Sequence, residues 1–126
     1  MRKSDVLAKL NTLSYNPEEY WVVAGAAMVL YGLREETYDV DLGCTSAMAD
    51  RLETEGFPCQ RTADGNRRFK VDEETEIFEN WLYDTVVMPD GIPVISLEGL
   101  VTMKRLLGRE KDLRDIRLIE EYGNHQ

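Results

Sequence analysis

Apolar residues recur at helical spacing in several parts of the chain. Val6, Leu7, Leu10 and Leu13 lie three or four residues apart, so they share one face of a helix. Short polar residues that can cap a helix, or glycines that can end one, bound most of the other segments of this type. The pattern predicts five helices, over residues 4–13, 26–31, 45–55, 96–107 and 110–122.

Between these helices lie runs rich in β-branched and aromatic residues, which favour strands. The runs predict seven strands, over residues 20–23, 38–43, 59–62, 69–71, 75–80, 85–88 and 92–95. Asp64-Gly65-Asn66 and Pro89-Asp90-Gly91 are typical of hairpin turns, and residues 72–74 form a further candidate turn. The order of elements predicts an α/β domain with several hairpins.

The predicted strand over residues 38–43 has two different faces. Tyr38, Val40 and Leu42 alternate with Asp39 and Asp41. Residues two apart in a strand point the same way, about 6.6 Å apart along it. Both carboxylates could therefore reach metal ions about 4 Å apart. The alternative is that the two aspartates simply face water on a half-exposed strand.

Acid pairs two residues apart are common in the chain. The pair Asp39 and Asp41 therefore indicates a functional site only because of the residues that precede it. Asp39 and Asp41 follow a strand that ends at Ala24-Gly25 and a helix whose first backbone amides could hold phosphate. Arg34 and Thr37 lie between that helix and the two acids. A phosphate cradle next to two metal-binding carboxylates is typical of nucleotide chemistry.

Lys104 breaks the apolar stripe of the helix predicted over residues 96–107. The stripe consists of Leu97, Leu100, Val101 and Leu107, and Lys104 falls on the same face. A buried ammonium needs an anion. Two interpretations stay open: Lys104 pairs with Asp112 or Asp115 for structural reasons, or it faces a nucleotide phosphate or the site acids.

Size and charge narrow the classes of function. The chain has 126 residues with 15 Lys and Arg against 24 Asp and Glu, a net charge of −9. The length predicts a single domain over residues 1–126. The charge argues against general nucleic-acid binding, which relies on basic side chains. A local basic patch stays open, because residues 61–70 hold Arg61, Arg67, Arg68 and Lys70 against Asp64 alone.

Cellular location is predicted from the cysteines and the apolar runs. Cys44 and Cys59 lie in no metal-like pair, and two cysteines make no disulfide framework in a chain of this size. No apolar run approaches the ~20 residues that cross a bilayer. We therefore expect a cytoplasmic protein with reduced cysteines and no membrane segment.

The residues singled out above resemble a known family. This is the minimal nucleotidyltransferase-fold family of the polymerase-beta-like superfamily, and within it bacterial nucleotidyltransferase toxins and aminoglycoside or lincosamide nucleotidyltransferases. Members carry a glycine turn after the first strand, an Arg and a Thr before an Asp-x-Asp strand, a third acid on a later strand, and a Lys followed by Arg-x-Lys-Asp and another Asp. The matching residues lie within roughly residues 20–120 and are Ala24-Gly25, Arg34, Thr37, Asp39, Asp41, Glu76, Lys104, Arg109, Lys111, Asp112 and Asp115.

The resemblance implies a fold and a reaction. The fold is α/β, with a mixed, mostly antiparallel twisted sheet, helices on one face and a C-terminal helical pair. In the implied reaction a nucleoside monophosphate passes from an NTP to a hydroxyl of a small molecule, protein or RNA. Asp39, Asp41 and Glu76 would hold two Mg²⁺ ions, and the nucleotide would bind Ala24, Gly25, Arg34, Thr37, Lys104, Arg109 and Lys111.

Three differences from the family pattern keep a second hypothesis open. Ala24 stands where the first glycine is usual, and Glu76 stands where an aspartate is usual. The stretch from Arg34 to Asp39 is also one residue longer than the family pattern. The alternative is a catalytically inactive protein of the same fold that acts as a binding or antitoxin-like interaction module. A chain of this length has no separate acceptor-binding domain, so a homodimer or a partner protein could complete the site.

Overall fold

The computed structural model describes residues 1–124. They form five α-helices, seven strands and a short 3₁₀ turn at Pro89–Gly91. The helices are α1 (Lys3–Asn11), α2 (Ala24–Leu30), α3 (Ser46–Thr54), α4 (Leu97–Leu107) and α5 (Glu110–Asn124). The strands are β1 (Tyr20–Val23), β2 (Val40–Cys44), β3 (Cys59–Arg61), β4 (Arg67–Lys70), β5 (Thr75–Glu79), β6 (Val86–Val87) and β7 (Val94–Ile95). Every predicted helix and strand is present, with shifts at the ends.

The seven strands form one sheet in the order β3-β4-β5-β2-β1-β7-β6. β5 pairs with β2 and β7 pairs with β1 in parallel, and the other four pairings are antiparallel. The predicted mixed, mostly antiparallel sheet is thus confirmed. Because β2 pairs with both β1 and β5, residues near position 41 face residues from two distant parts of the chain.

The two faces of the sheet around β2, β4 and β5 differ in burial. Val40, Leu42, Phe69 and Ile77 point to one face and are fully buried in the core. α2 contacts β1 and β2 there, and α1 and α4 contact α2 in turn. On the other face the side chains at positions 41, 68, 70, 76 and 78 are partly or fully exposed. The acids Asp41 and Glu76 therefore lie on the less covered face.

The helix ends follow the capping residues of the sequence. Thr45 accepts a hydrogen bond from the Met48 amide at the start of α3, and Ser96 accepts one from the Gly99 amide at the start of α4. Gly108 ends α4 in the left-handed conformation, at φ 63°. Glycine adopts this conformation at little cost, so α5 can fold back against α4 as the predicted helical pair.

The strand predicted over residues 38–43 begins two residues later, at Val40. The Thr37 amide donates to the Met1 carbonyl and the Thr37 hydroxyl donates to the Asp39 carbonyl, so this backbone is bonded outside the sheet. Tyr38 is 95% exposed instead of facing the core. The prediction that one strand carries both aspartates is therefore wrong: Asp41 lies in β2, and Asp39 lies in the loop before it.

A membrane-spanning segment was not expected. Among the helices of residues 1–124, none is both long enough and apolar enough to cross a bilayer.

Candidate functional site

A cleft of about 480 Å³ opens where the end of β1, the loop before β2 and the two C-terminal helices meet. Nine of the ten residues predicted for the site line it: Ala24, Gly25, Arg34, Thr37, Asp39, Asp41, Lys104, Arg109 and Lys111. Asp112 and Asp115 line it as well. The tenth predicted residue, Glu76, lies outside the cleft and borders a neighbouring depression. The topology thus brings residues as far apart in the sequence as Ala24 and Lys111, which are separated by 87 positions, into one cleft.

The turn from β1 into α2 forms one wall of this cleft. A Cβ atom on Gly25 would lie 2.9 Å from Nη1 of Arg34 and 2.9 Å from Oγ1 of Thr37, which is too close for either contact. The missing side chain at position 25 therefore lets Arg34 and Thr37 approach the turn directly. Ala24, just before it, has φ 56°, in the left-handed region that alanine rarely adopts.

Replacing Ala24 with glycine is expected to stabilise the protein by about 1 kcal/mol, because glycine adopts a left-handed φ without the strain of a Cβ atom. Urea unfolding of the two proteins measures the difference. Ala27→Gly is the matched control: it lies within α2, where the same change is expected to destabilise by about 1 kcal/mol. Equal loss of stability in both variants would contradict strain at Ala24.

Asp41, which lines the cleft, and Glu76, which lies just outside it, bring two negative charges side by side. They are register partners in the parallel pair β2 and β5, so their side chains leave the same face side by side. Burial, the charge of Asp39 and the charge of Glu76 together raise the pKa of Asp41 to about 6. The positive charges of Arg68 and Lys111 oppose this rise and do not cancel it. A cation placed here would relieve the repulsion.

These carboxylates suit Mg²⁺, which prefers oxygen ligands. Asp39 and Asp41 are free of ion pairs within residues 1–124, whereas Glu76 pairs with the Arg68 guanidinium. Within the same residues, no three carboxylate, imidazole or thiol groups are already arranged around one point. The carboxylates of Asp39 and Asp41 are therefore available to a metal ion, and Glu76 could join them only after leaving Arg68.

Replacing Arg68 with methionine is expected to increase the affinity of the nucleotide-free protein for Mn²⁺ about fivefold. The change removes the ion pair that competes for Glu76, and the free energy of an exposed ion pair corresponds to about this factor. Lys70→Met is the matched control. It removes the same charge from the same face of β4 but breaks no ion pair within residues 1–124. Mn²⁺ titration followed by electron paramagnetic resonance gives both affinities. Equal gains in the two variants would show a general charge effect and no specific role for Arg68.

Three basic residues of the cleft, Arg34, Lys104 and Arg109, are paired with two acids of α5. Asp115 contacts Nη2 of Arg34 at 2.7 Å and Nζ of Lys104 at 3.0 Å. Asp112 contacts Nε of Arg109 at 2.6 Å and Nζ of Lys104 at 3.7 Å. Lys104 is 4% exposed, so its charge is neutralised inside the protein. The predicted pairing of Lys104 with Asp112 and Asp115 is therefore present, and the position of Lys104 on the cleft wall keeps both interpretations open.

Asp112 is fully buried, which alone would raise its pKa; hydrogen bonds from Arg109 and the charges of Arg109 and Lys104 hold that pKa below its usual range. The sequence indicated Asp112 and Asp115 as partners of Lys104 and as matches to the family pattern, but neither was predicted to line the site. Their spacing of three residues on one helix was the signal that both could face the same cleft.

Three solved structures share this architecture. One is a Thermotoga maritima protein proposed to be a nucleotidyltransferase, TM1012, with TM-score 0.54, 18% identity and coverage of 98% of this chain and 91% of that chain. The second is the lincosamide antibiotic adenylyltransferase LnuA with bound lincomycin, with TM-score 0.50, 15% identity and coverage of 93% of this chain and 91% of that chain. The third is ANT(2″)-Ia with adenylyl-2″-tobramycin, with TM-score 0.50, 14% identity and coverage of 94% of this chain and 83% of that chain. The chain has the nucleotidyltransferase fold. Sequence comparison alone finds no matching family model and no matching curated protein.

The nucleotidyltransferase fold accounts for the way in which the site is assembled. The turn after β1, the acid of β2 and the basic residues of α4 and α5 meet because β1 and β2 are central in the sheet and α2 contacts both strands and α4. At these levels of identity the likeness establishes the fold. Function must be argued from the residues of this chain.

Proposed function

We propose that this protein is a metal-dependent nucleotidyltransferase that moves a nucleoside monophosphate from an NTP to a hydroxyl group. One observation carries the proposal: a single cleft of about 480 Å³ combines the β1–α2 turn, several basic side chains and two carboxylates that form no ion pair within residues 1–124. Phosphoryl-transfer sites need these parts, because catalysis there rests on positioning and charge neutralisation.

In this proposal the triphosphate lies along the Ala24-Gly25 turn. Arg34, Thr37 and Lys104 line the cleft, as do Lys111 near the start of α5 and Arg109 just before that helix. Asp112 and Asp115 hold the three paired basic side chains in place, so their charges are oriented before a ligand arrives. Orientation in advance reduces the reorganisation that binding would otherwise require.

Asp39, Asp41 and, once free of Arg68, Glu76 would hold Mg²⁺, with two ions in the full site. Bound Mg²⁺ supplies charge neutralisation at the phosphate oxygens and lowers the pKa of the attacking hydroxyl. The acceptor oxygen forms a bond to the α-phosphorus as the bond from that phosphorus to the bridging oxygen breaks. Pyrophosphate leaves with the bonding electrons, and the hydroxyl proton passes to solvent.

The similar structures support a small-molecule acceptor. LnuA is described as an antibiotic adenylyltransferase, and ANT(2″)-Ia was solved with an adenylylated antibiotic. Both cases favour ATP as the donor for this chain too. A second copy or a partner protein that completes the acceptor side stays part of the proposal.

Thermal melting with nucleotides tests the proposed function. ATP, CTP, GTP or UTP with Mg²⁺ at about 100 times its Kd should raise the melting temperature by about 5–10 °C, because a ligand of the native state stabilises it by mass action. The same nucleotide with EDTA should give a much smaller rise. Equal melting with and without all four nucleotides would contradict the proposal.

The second candidate function is a nucleotide-binding or antitoxin-like interaction module that performs no transfer. The ion pair between Glu76 and Arg68 favours it, since the third acid is already engaged. Label from [α-³²P]ATP distinguishes the two functions in a cell extract supplemented with Mg²⁺. A labelled product that forms only with active protein supports the transferase, and nucleotide stabilisation without any labelled product supports the module.

A further inference from the structure

A second depression, of about 430 Å³, adjoins the site on the exposed face of β3, β4 and β5. It is lined by Pro58, Cys59, Gln60, Arg68, Lys70 and Glu76. Glu76 is the register partner of Asp41, which lines the first cleft. The pair formed by Asp41 and Glu76 therefore lies between two depressions, with the proposed nucleotide cleft on one side and this one on the other.

All the charged side chains of the second depression leave the same face of the sheet. Lys70 pairs in register with Glu76, and Arg68 lies two residues before Lys70 on β4. Residues two apart in a strand share a face. Asp41 shares it too, through its pairing with Glu76. A molecule in this depression would thus have a direct path across the sheet to the acids.

The charge of this depression has the opposite sign to that of the chain. The net charge of the protein is −9, whereas the depression combines two cations, Arg68 and Lys70, with one anion, Glu76. Arg68 is 45% exposed while it pairs with Glu76, and Lys70 forms no ion pair within residues 1–124. The Arg68 guanidinium also lies 5.4 Å from the centre of the Phe78 ring. The depression is thus suited to an anionic group.

Transfer to a hydroxyl restricts where the two substrates can lie. The attacking and leaving oxygens are roughly in line through the phosphorus, so the acceptor must approach from the side opposite the pyrophosphate. With the triphosphate in the first cleft, the far side of the acid pair is the second depression. We propose that this depression binds the acceptor, and that the acceptor carries a phosphate or carboxylate group that Lys70 and Arg68 contact.

This inference rests on the proposed function and narrows it. Arg68 would leave Glu76 when Glu76 joins the metal site, and its guanidinium would then be free for the acceptor anion. An amine-rich acceptor would be repelled by Arg68 and Lys70. The protein is therefore expected to prefer an anionic acceptor to a neutral one with the same hydroxyl groups.

Nuclear magnetic resonance of the nucleotide complex tests the inference. The protein is saturated with Mg²⁺ and α,β-methylene-ATP, which fills the first cleft and cannot be cleaved between its α and β phosphorus atoms. Ribose 5-phosphate, ribonate and ribose are then titrated separately. We expect the amide signals of Gln60, Arg68 and Lys70 to shift with one or both anions, at a Kd at least tenfold lower than that of ribose. The phosphate and carboxylate arms show which anion is preferred.

Two variants at exposed positions make the test specific. Lys70→Gln should raise the Kd of the preferred anion about three- to fivefold, the upper range of one exposed charge contact. Arg61→Gln should change it less than twofold. Arg61 lies on the same hairpin, but it is the register partner of Arg67. The side chain of Arg67 points to the covered face of the sheet, so this pair lies on the face opposite to the depression. Equal Kd values for anions and ribose, shifts confined to residues 24–25 and 104–111, or equal effects of both variants would overturn the inference.

The starting complex separates the two proposals. If Mg²⁺ and α,β-methylene-ATP do not bind, the proposed function fails and the acceptor inference fails with it. If they bind and the anions show no preference at the second depression, only the acceptor inference fails.

Discussion

Replacing Asp41 with asparagine is expected to abolish nucleotidyl transfer, by at least about 100-fold, and to remove stabilisation by Mg²⁺ or Mn²⁺. The change removes a carboxylate that the proposed metal site requires. It also removes a charge that destabilises the folded protein, because burial and the charges of Asp39 and Glu76 raise the pKa of Asp41 to about 6. The ligand-free variant should therefore be more stable than the parent at pH 7.5, by about 2 kcal/mol.

The gain in stability should depend on pH. In the folded protein the pKa of Asp41 is about 6, well above the usual value of 3.8 that applies to the unfolded chain. The stability of the ligand-free parent is therefore highest, as far as Asp41 is concerned, below pH 4, and it falls as the pH rises through 6. Asp41→Asn should lack this fall, so the two proteins should converge at low pH.

Denaturant unfolding between pH 4 and 8, with and without Mn²⁺, measures both effects. Asp90→Asn is the matched control, because Asp90 is exposed at a turn remote in sequence from the acids and has a left-handed φ that asparagine tolerates. An unchanged Mn²⁺ response in Asp41→Asn would show that Asp41 does not bind the metal.

Replacing Asp115 with alanine is expected to destabilise the protein by about 3 kcal/mol, since breaking a buried ion pair leaves an uncompensated charge. Asp115 neutralises both Arg34 and Lys104. Without it, Lys104 keeps only Asp112, at 3.7 Å, and Asp112 is shared with Arg109. Lys104→Met should cost less, about 1 kcal/mol, because both acids keep an arginine partner.

A double variant isolates the interaction between the two residues. Adding Lys104→Met to Asp115→Ala removes the uncompensated ammonium and should restore part of the lost stability. Glu120→Ala is the control. Within residues 1–124 it breaks a single exposed ion pair, with Arg105, and it should change stability by less than about 0.5 kcal/mol. Additive effects of Asp115→Ala and Lys104→Met would contradict the coupling that the short contact implies.

Much of the fold could be predicted because local signals agreed with it. Thr45 and Ser96 cap α3 and α4, Gly108 ends α4, and the turns at residues 64–66 and 89–91 join antiparallel strands. Each signal acts within a few residues of its own position. The start of β2 was misplaced because a distant contact, between Thr37 and Met1, keeps the backbone before Val40 out of the sheet.

The candidate site could be predicted residue by residue but not in its connections. Glu76 faces Asp41 only because β5 pairs in parallel with β2, and Arg68 reaches Glu76 only because β4 pairs with β5. These contacts depend on strand register, which one sequence does not reveal. The left-handed φ of Ala24 was equally hidden, since alanine is not typical of that conformation.

The central claim is that the cleft between the β1–α2 turn and α5 holds an NTP whose metal is bound by Asp39 and Asp41. Crystals grown with Mn²⁺ and α,β-methylene-ATP test it most directly, because the anomalous scattering of Mn²⁺ locates the metal without reference to a model. We predict an anomalous peak within 2.5 Å of carboxylate oxygens of Asp39 and Asp41, about the upper limit for such bonds, with the triphosphate along Ala24-Gly25. A nucleotide bound elsewhere, or one in the cleft with no anomalous peak at these carboxylates, would contradict the account.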